Sequence, residues 1–176
     1  RQVCAHLENY TDGSRIGLLG FDSWNERKNA TYAARNVNGG FASVELVKDF
    51  GSWKQKFLEL QNKVDFIMLA SPEGIQDWNI EEAEKFISEN IRITVGTEFS
   101  EEIAPIVLIG LAKVPEEQGE YAAKIALQIL DGANPGDIAV ASNKKGNLFL
   151  NLIIADKLDV VFTPAILRNA KMIIGL

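Results

Sequence analysis

The sequence predicts an α/β fold: a flavodoxin-like parallel sheet with helices on both faces, followed by a C-terminal helix and hairpin segment. Three observations predict it. Short apolar runs alternate with longer stretches of helical periodicity between residues 15 and 111. The run Val64-Asp65-Phe66-Ile67-Met68-Leu69-Ala70 is nearly all apolar, the composition of a strand covered on both faces. Glycine, proline and polar breaks separate the runs at the spacing that repeated β-α units require.

The elements follow in order. Residues 15–21 read as a short buried strand. Asp22-Ser23 starts a polar-rich helix over residues 24–36, which Val37-Asn38-Gly39-Gly40 stops, glycine being the usual residue beyond a helix end. Residues 44–47 form a second strand. A helix over residues 52–62 places Trp53, Phe57 and Leu60 at nearly 3.6-residue spacing. The strand at 64–70 comes next, then a helix over 81–90 with Ala83, Phe86 and Ile87 on one side. Residues 91–95 and 105–111 are two further strands. The right-handed crossover rule leaves few arrangements for such units beyond a doubly wound sheet.

The pattern changes near Val114. An amphipathic helix over residues 116–130 carries Tyr121, Ile125, Leu127 and Leu130, and Asp131-Gly132-Ala133-Asn134-Pro135-Gly136 ends it. Residues 138–141 and 148–152, joined by Asn143-Lys144-Lys145-Gly146-Asn147, read as a hairpin, and a last helix over 165–172 follows Pro164. The expected division is therefore residues 1–114 and residues 115–176.

Composition narrows the function classes. The 176 residues are 47% hydrophobic and 24% charged, an ordinary globular balance with material for a sizeable core. Lys and Arg number 18 against 24 Asp and Glu, a net charge of −6, and the basic residues are dispersed, which disfavours nucleic acid and anionic membrane surfaces. One cysteine, Cys4, permits no intrachain disulfide and fits a cytosolic or an exported chain equally. The chain opens on Arg1 with no leader pattern, and the expectation is a trimmed or processed beginning.

Catalytic patterns are missing. One histidine, His6, and one cysteine do not make a zinc site, and neither a nucleophile elbow nor a phosphate loop occurs. Gly17 and Gly20 are wrongly spaced for a dinucleotide loop and serve close packing better. Acidic pairs such as Glu81-Glu82 and Glu101-Glu102 are expected at solvated helix starts, where they suit the helix dipole. No enzyme activity, cofactor or metal is expected.

In open parallel sheets ligands bind outside the carboxyl ends of the strands. Three such ends supply the candidate binding residues: Asp22, Ser23, Trp24 and Asn25; Ser71 and Glu73; Thr97 and Glu98. Hydroxyls and free amides there can hold a carboxylate, and acidic side chains can pair with an ammonium. Ser23 and Ser71 suit helix capping equally well. Trp24 and Trp78 flank the expected rim and could stack on a flat ligand, whereas Trp53 belongs to the core. The acidic rim of Asp22, Glu73 and Glu98 favours a solute with a positive group.

From Glu117 onward the sequence resembles a known family. Glu117-Gln118-Gly119, Ala122-Ala123, Ile129-Leu130-Asp131-Gly132 and Pro135-Gly136-Asp137-Ile138-Ala139-Val140 are similar to a stretch of the ABC-transporter substrate-binding family, of type I periplasmic-binding-protein fold, in the group that includes tryptophan and tyrosine binders. Asn151, Ala155, Leu158, Pro164, Leu167 and Ala170 continue the resemblance. Upstream, Arg15 to Leu19, Val64-Asp65-Phe66-Ile67 and Arg92-Ile93-Thr94-Val95 resemble the family's second-lobe strands. Ala139 stands where the family has proline, Asp159 where it has glycine, and Pro164 lies one residue late.

The resemblance implies one lobe of a two-lobed protein, with residues 1–114 as the second lobe and residues 115–176 as a returning segment that packs on the first. It implies capture of a small polar solute, such as an amino acid, by hinge closure between lobes, with delivery to an ABC permease. It equally permits the ligand-sensing domain of a membrane receptor bearing a histidine kinase or cyclase. The expected location is periplasmic or extracellular, associated with the membrane through a partner or a further segment. The apolar helix over 116–130 invites a homodimer. A flavodoxin-like enzyme or receiver domain is a further alternative, with Asp22 in an acidic role but Ala70-Ser71 where a phosphoacceptor would stand. A structural interaction domain without a closed cleft is a third.

Overall fold

The computed structural model describes residues 2–35, 37 and 39–175. The expected last residue of the second helix, Asn36, and Asn38 of its stop lie outside the described residues, as does Arg1. A seven-stranded sheet organises the chain, with strands β1 (Ile16–Phe21), β2 (Ser43–Val47), β3 (Phe66–Leu69), β4 (Thr94–Thr97), β5 (Ile109–Lys113), β6 (Gly146–Asn151) and β7 (Met172–Ile174) in the order β2-β1-β3-β4-β5-β6-β7. The first five strands are parallel and take the flavodoxin-like order. The expected α/β class is observed.

Helices α2 (Trp24–Ala34), α3 (Phe50–Leu60) and α4 (Ile80–Asn90) make the crossovers. Two of them begin earlier than their periodicity indicates, because the capping residues lie further upstream. Asp49 accepts from the Ser52 amide at 2.8 Å and Asn79 from the Glu82 amide at 2.8 Å, each satisfying an amide that the first turn leaves free.

Register assigns the faces. Side chains alternate along a strand, and parallel partners in register point the same way. Leu18 is level with Met68, and Met68 with Gly96. A Cβ at Gly20 would meet Glu26 of α2, and one at Gly96 would come within 2.7 Å of Val3 and Leu7. Both of these belong to a short helix, α1 (Gln2–Leu7), so α1 and α2 share this face. Gly96 has to be glycine for α1 to lie so close. Gly17 looks the other way, toward Leu60 and Val64 beyond α3. There Trp53, Phe57 and Phe86 join α3 to α4 through ring contacts.

The core forms one cluster in which Phe57, Phe66, Leu19, Ile67, Leu108 and Ile109 are completely enclosed. Each such side chain contributes about 1.5–3 kcal/mol of transfer free energy. Val3 and Leu7 are in the same cluster, so the N-terminal segment that carries His6 is packed helix rather than a ragged end.

Several expected elements fall elsewhere. Residues 91–93 precede β4 because Gln61 ties them down: its side chain accepts from the Arg92 amide at 2.7 Å and donates to the Asn90 carbonyl at 3.1 Å. Pro105, having no amide to give a ladder, lies in a 3-10 turn (Glu101–Ile106), and β5 starts after it. The expected hairpin does not form. Residues 138–141 are irregular and exposed except for a half-buried Ile138, whereas β6 pairs antiparallel with β5, from Lys113 opposite Gly146 to Ile109 opposite Leu150. The sheet edge buries Leu148, Phe149 and Leu150, which an isolated two-stranded hairpin cannot do. The last expected helix divides into α7 (Pro164–Asn169) and β7, the latter parallel to β6.

Helix α5 (Pro115–Leu130) stands apart. None of its described residues is buried, and Leu130 is 81% exposed. Its start is held to the following loop by Glu117, whose carboxylate accepts from the Lys144 and Lys145 amides at 3.0 Å each. A short helix, α6 (Leu152–Lys157), follows β6. Asn151 is buried between them, accepting from the Ile154 amide at 3.1 Å and donating to the Ala104 and Pro105 carbonyls at 3.2 and 3.1 Å.

Candidate functional site

Strand order reverses at β1, with β2 on one side and β3 on the other, so the loops leaving β1 and β3 diverge and leave a crevice at the carboxyl edge. Asp22 and Ser23 follow β1, Ala70 and Ser71 follow β3, and Glu98 and Phe99 follow β4. The three strand ends named by the sequence thus lie along one edge.

Among the described residues, two depressions lie at this edge. A groove of about 180 Å³ is lined by Asp22, Ser23, Trp24, Arg27 and Lys48. A larger cavity of about 460 Å³ opens at Ser71, Glu98 and Phe99 and runs down between α1 and α2, over Leu18 and Met68, past Cys4, Glu26 and Asn29. Among the predicted residues, the first brings together Asp22, Ser23 and Trp24, and the second Ser71 and Glu98. Asn25 and Glu73 are exposed and line neither.

Several of these side chains already have work. Asp22 is gripped by Arg27 through contacts of 2.6 and 2.8 Å, and this hydrogen bonding holds its carboxyl below its ordinary value. Asp22 therefore already has a guanidinium partner at the position where the sequence suggests a rim carboxylate. The Ser23 hydroxyl accepts from the Glu26 amide at 3.0 Å and caps α2, and the Ser71 hydroxyl accepts from the Glu73 amide at 3.0 Å. Thr97 is fully enclosed, its hydroxyl donating to the Leu69 carbonyl. Glu98 is exposed and accepts from the Val3 amide at 3.1 Å, which ties the edge to α1.

The tryptophans divide differently from expectation. Trp24 is 72% exposed, with the Lys28 ammonium 4.9 Å from its ring centre, and presents a flat face beside the groove. Trp78 is not a rim residue. It packs edge-on against Phe50 and Trp53, both at 5.1 Å, as part of the aromatic cluster under α3. Trp53 is buried as expected.

Glu26 is the residue that sequence pattern conceals. Ser23-Trp24-Asn25-Glu26 reads as a capping box, a local device that explains a glutamate fully. In the fold its carboxyl lines the larger cavity. Burial pushes it above its ordinary value, while a hydrogen bond with Asn29 opposes that shift. Burial likewise pushes the Cys4 thiol up. Phe41, Phe99 and Lys113 join the lining from loops and a strand end, placements that no local motif signals. Among the described residues, no group of three or more His, Cys, Asp or Glu side chains could hold a metal ion, and no helix is long and apolar enough to cross a membrane.

The doubly wound lobe has its crevice at the carboxyl edge, where the strand order reverses. The chain belongs to the family described as ABC transporter substrate binding protein, whose model matches residues 71–174. Three solved structures share the fold. An ABC domain in complex with L-Trp from Streptococcus pneumonia superposes with a TM-score of 0.66 at 18% identity over 98% of this chain and 58% of that one. A conserved domain protein from Vibrio cholerae gives 0.66 at 16% identity, covering 98% and 58%. The ligand-free, open structure of a substrate binding protein with adhesive properties from Clostridium difficile gives 0.68 at 17% identity, covering 97% and 58%. The chain therefore spans 58% of the length of each of these structures. No curated protein sequence matches it.

Proposed function

We propose that the chain is the solute-binding module of an extracytoplasmic ABC-type uptake system, taking a small polar solute such as an amino acid at the carboxyl edge of the sheet. The observation that carries this reading is the convergence of the β1, β3 and β4 ends at the order reversal, in a chain of this family. Residues 1–114 offer Ser71, Glu98 and the Trp24 face, in a lobe whose sheet β6 and β7 complete. Residues 115–176 form the returning segment. The exposed apolar side chains of α5, Leu127 and Leu130 foremost, support a covering partner there, either another lobe or a second copy of the chain. An ABC permease is the expected recipient of the solute.

A thermal-shift screen against amino acids, amines, nucleosides and sugars tests the reading, because a ligand that binds only the folded chain raises its melting temperature. An amino acid or amine should raise it, and Glu98→Ala should diminish the effect. Silence toward every compound, or a response that Glu98→Ala and Glu73→Ala both leave unchanged, would remove the strand-end site.

A further inference from the structure

We infer that the cavity between α1 and α2 is itself a binding site, for a small ligand with an amine head and an apolar body. The inference rests on the strand-end reading for its entrance, since the cavity opens at Ser71, Glu98 and Phe99, but it places the ligand inside the lobe rather than on its edge.

Size, walls and charge agree. The volume of about 460 Å³ falls within the roughly 300–1,000 Å³ typical of small-molecule sites. The floor is apolar, made by Leu18 and Met68 of adjacent strands, and Val37 and Phe41 add to the apolar lining. An apolar floor of this kind favours an occupant with an apolar body. Two carboxylates line the same space, Glu26 from α2 and Glu98 from the end of β4. An anion would meet both.

Glu26 makes the stronger argument. Packed over Gly20 on the inner side of α2, its carboxyl carries a desolvation cost that the hydrogen bond with Asn29 only opposes. A cation entering the cavity reverses that cost by pairing with a carboxylate in a partly dry setting, where charge-assisted contacts are strongest. Lys113 also lines the cavity, from the exposed end of β5. A compact arylalkylamine meets both demands, with its ring over Met68 and its ammonium toward Glu26.

Tryptamine is the probe, with indole-3-propionate as a control of similar size and opposite charge. Each is titrated into the chain and followed by melting temperature, in the wild type, in Glu26→Gln and in Ala33→Phe. The first variant removes the charge and keeps the shape. The second plugs the cavity from the last turn of α2. Tryptamine should raise the melting temperature and indole-3-propionate should not. Glu26→Gln should weaken tryptamine about tenfold, the worth of one charge-assisted contact, and Ala33→Phe should abolish its effect. A tryptamine response that persists in both variants overturns the cavity and leaves the strand-end reading standing. So does a response to amino acids with none to tryptamine. No response to any compound overturns both.

Discussion

The hydroxyl of Thr97 donates a 2.8 Å hydrogen bond to the carbonyl of Leu69, joining the last residues of two neighbouring parallel strands. The same hydroxyl accepts from the Phe99 amide at 3.1 Å. One buried side chain therefore holds β3 and β4 together at the carboxyl edge and sets the direction in which the Glu98-Phe99 turn departs. Thr97→Val keeps the volume and loses both bonds, leaving a buried carbonyl without this partner. The expected loss is about 1–3 kcal/mol of stability, measured by urea denaturation. An unchanged unfolding midpoint would mean that the clamp is energetically idle.

Asn151 makes a comparable joint at the other side of the sheet, with three hydrogen bonds from one buried amide. Asn151→Ala removes the cap of α6 and frees two carbonyls of the 3-10 turn. About 3 kcal/mol should be lost, and Asn151→Asp, which retains only the acceptor, should fall between. Equal stability of the two variants would place the whole effect in the two donated bonds and none in the cap.

Acid should weaken the fold in part through Asp65. Hydrogen bonds from Arg15, side chain and backbone amide, hold the Asp65 carboxyl below its ordinary value. The unfolded chain therefore takes up this proton first as pH falls. The stabilising contribution is complete above the ordinary aspartate value of about 3.9 and disappears as pH drops through the lower folded value. Melting temperatures of Asp65→Asn and wild type should differ at pH 7 and converge toward pH 2. A constant difference across that range would assign Asp65 a role independent of charge.

Trp24 offers a reporter of the edge. It is the tryptophan most open to solvent, whereas Trp53 is 2% exposed and Trp78 packs against it. Iodide should quench a fraction of the native fluorescence that Trp24→Phe removes. A ligand seated against the indole face should protect the same fraction. Quenching that survives Trp24→Phe would place an accessible indole elsewhere.

The parallel core was legible from the chain because strands buried on both faces are written as contiguous apolar runs, and 64–70 is such a run. Helix starts were less so. Asp49 and Asn79 cap from positions that periodicity does not mark, since a cap acts through one side-chain oxygen and leaves no repeat. β6 reads as half of a hairpin because its local pattern is the same for any antiparallel neighbour, and the choice of β5 is made by burial of Phe149 against the sheet. Of the candidate site, the strand ends were readable from topology alone. Glu26, Phe41 and Phe99 were not, because they meet only when two helices and several loops close over one sheet face.

Lys113 and Gly146 are register partners, so everything between them leaves the sheet and re-enters it at adjacent points of one ladder. Helix α5 and the loop held by Glu117 hang from the lobe like a handle fixed by two rivets set side by side. Force applied anywhere along that handle reaches the sheet at a single place, the outer ends of β5 and β6. Lys113 stands there, at the rim of the cavity. A load on the handle would thus meet the sheet beside a residue that also lines the cavity.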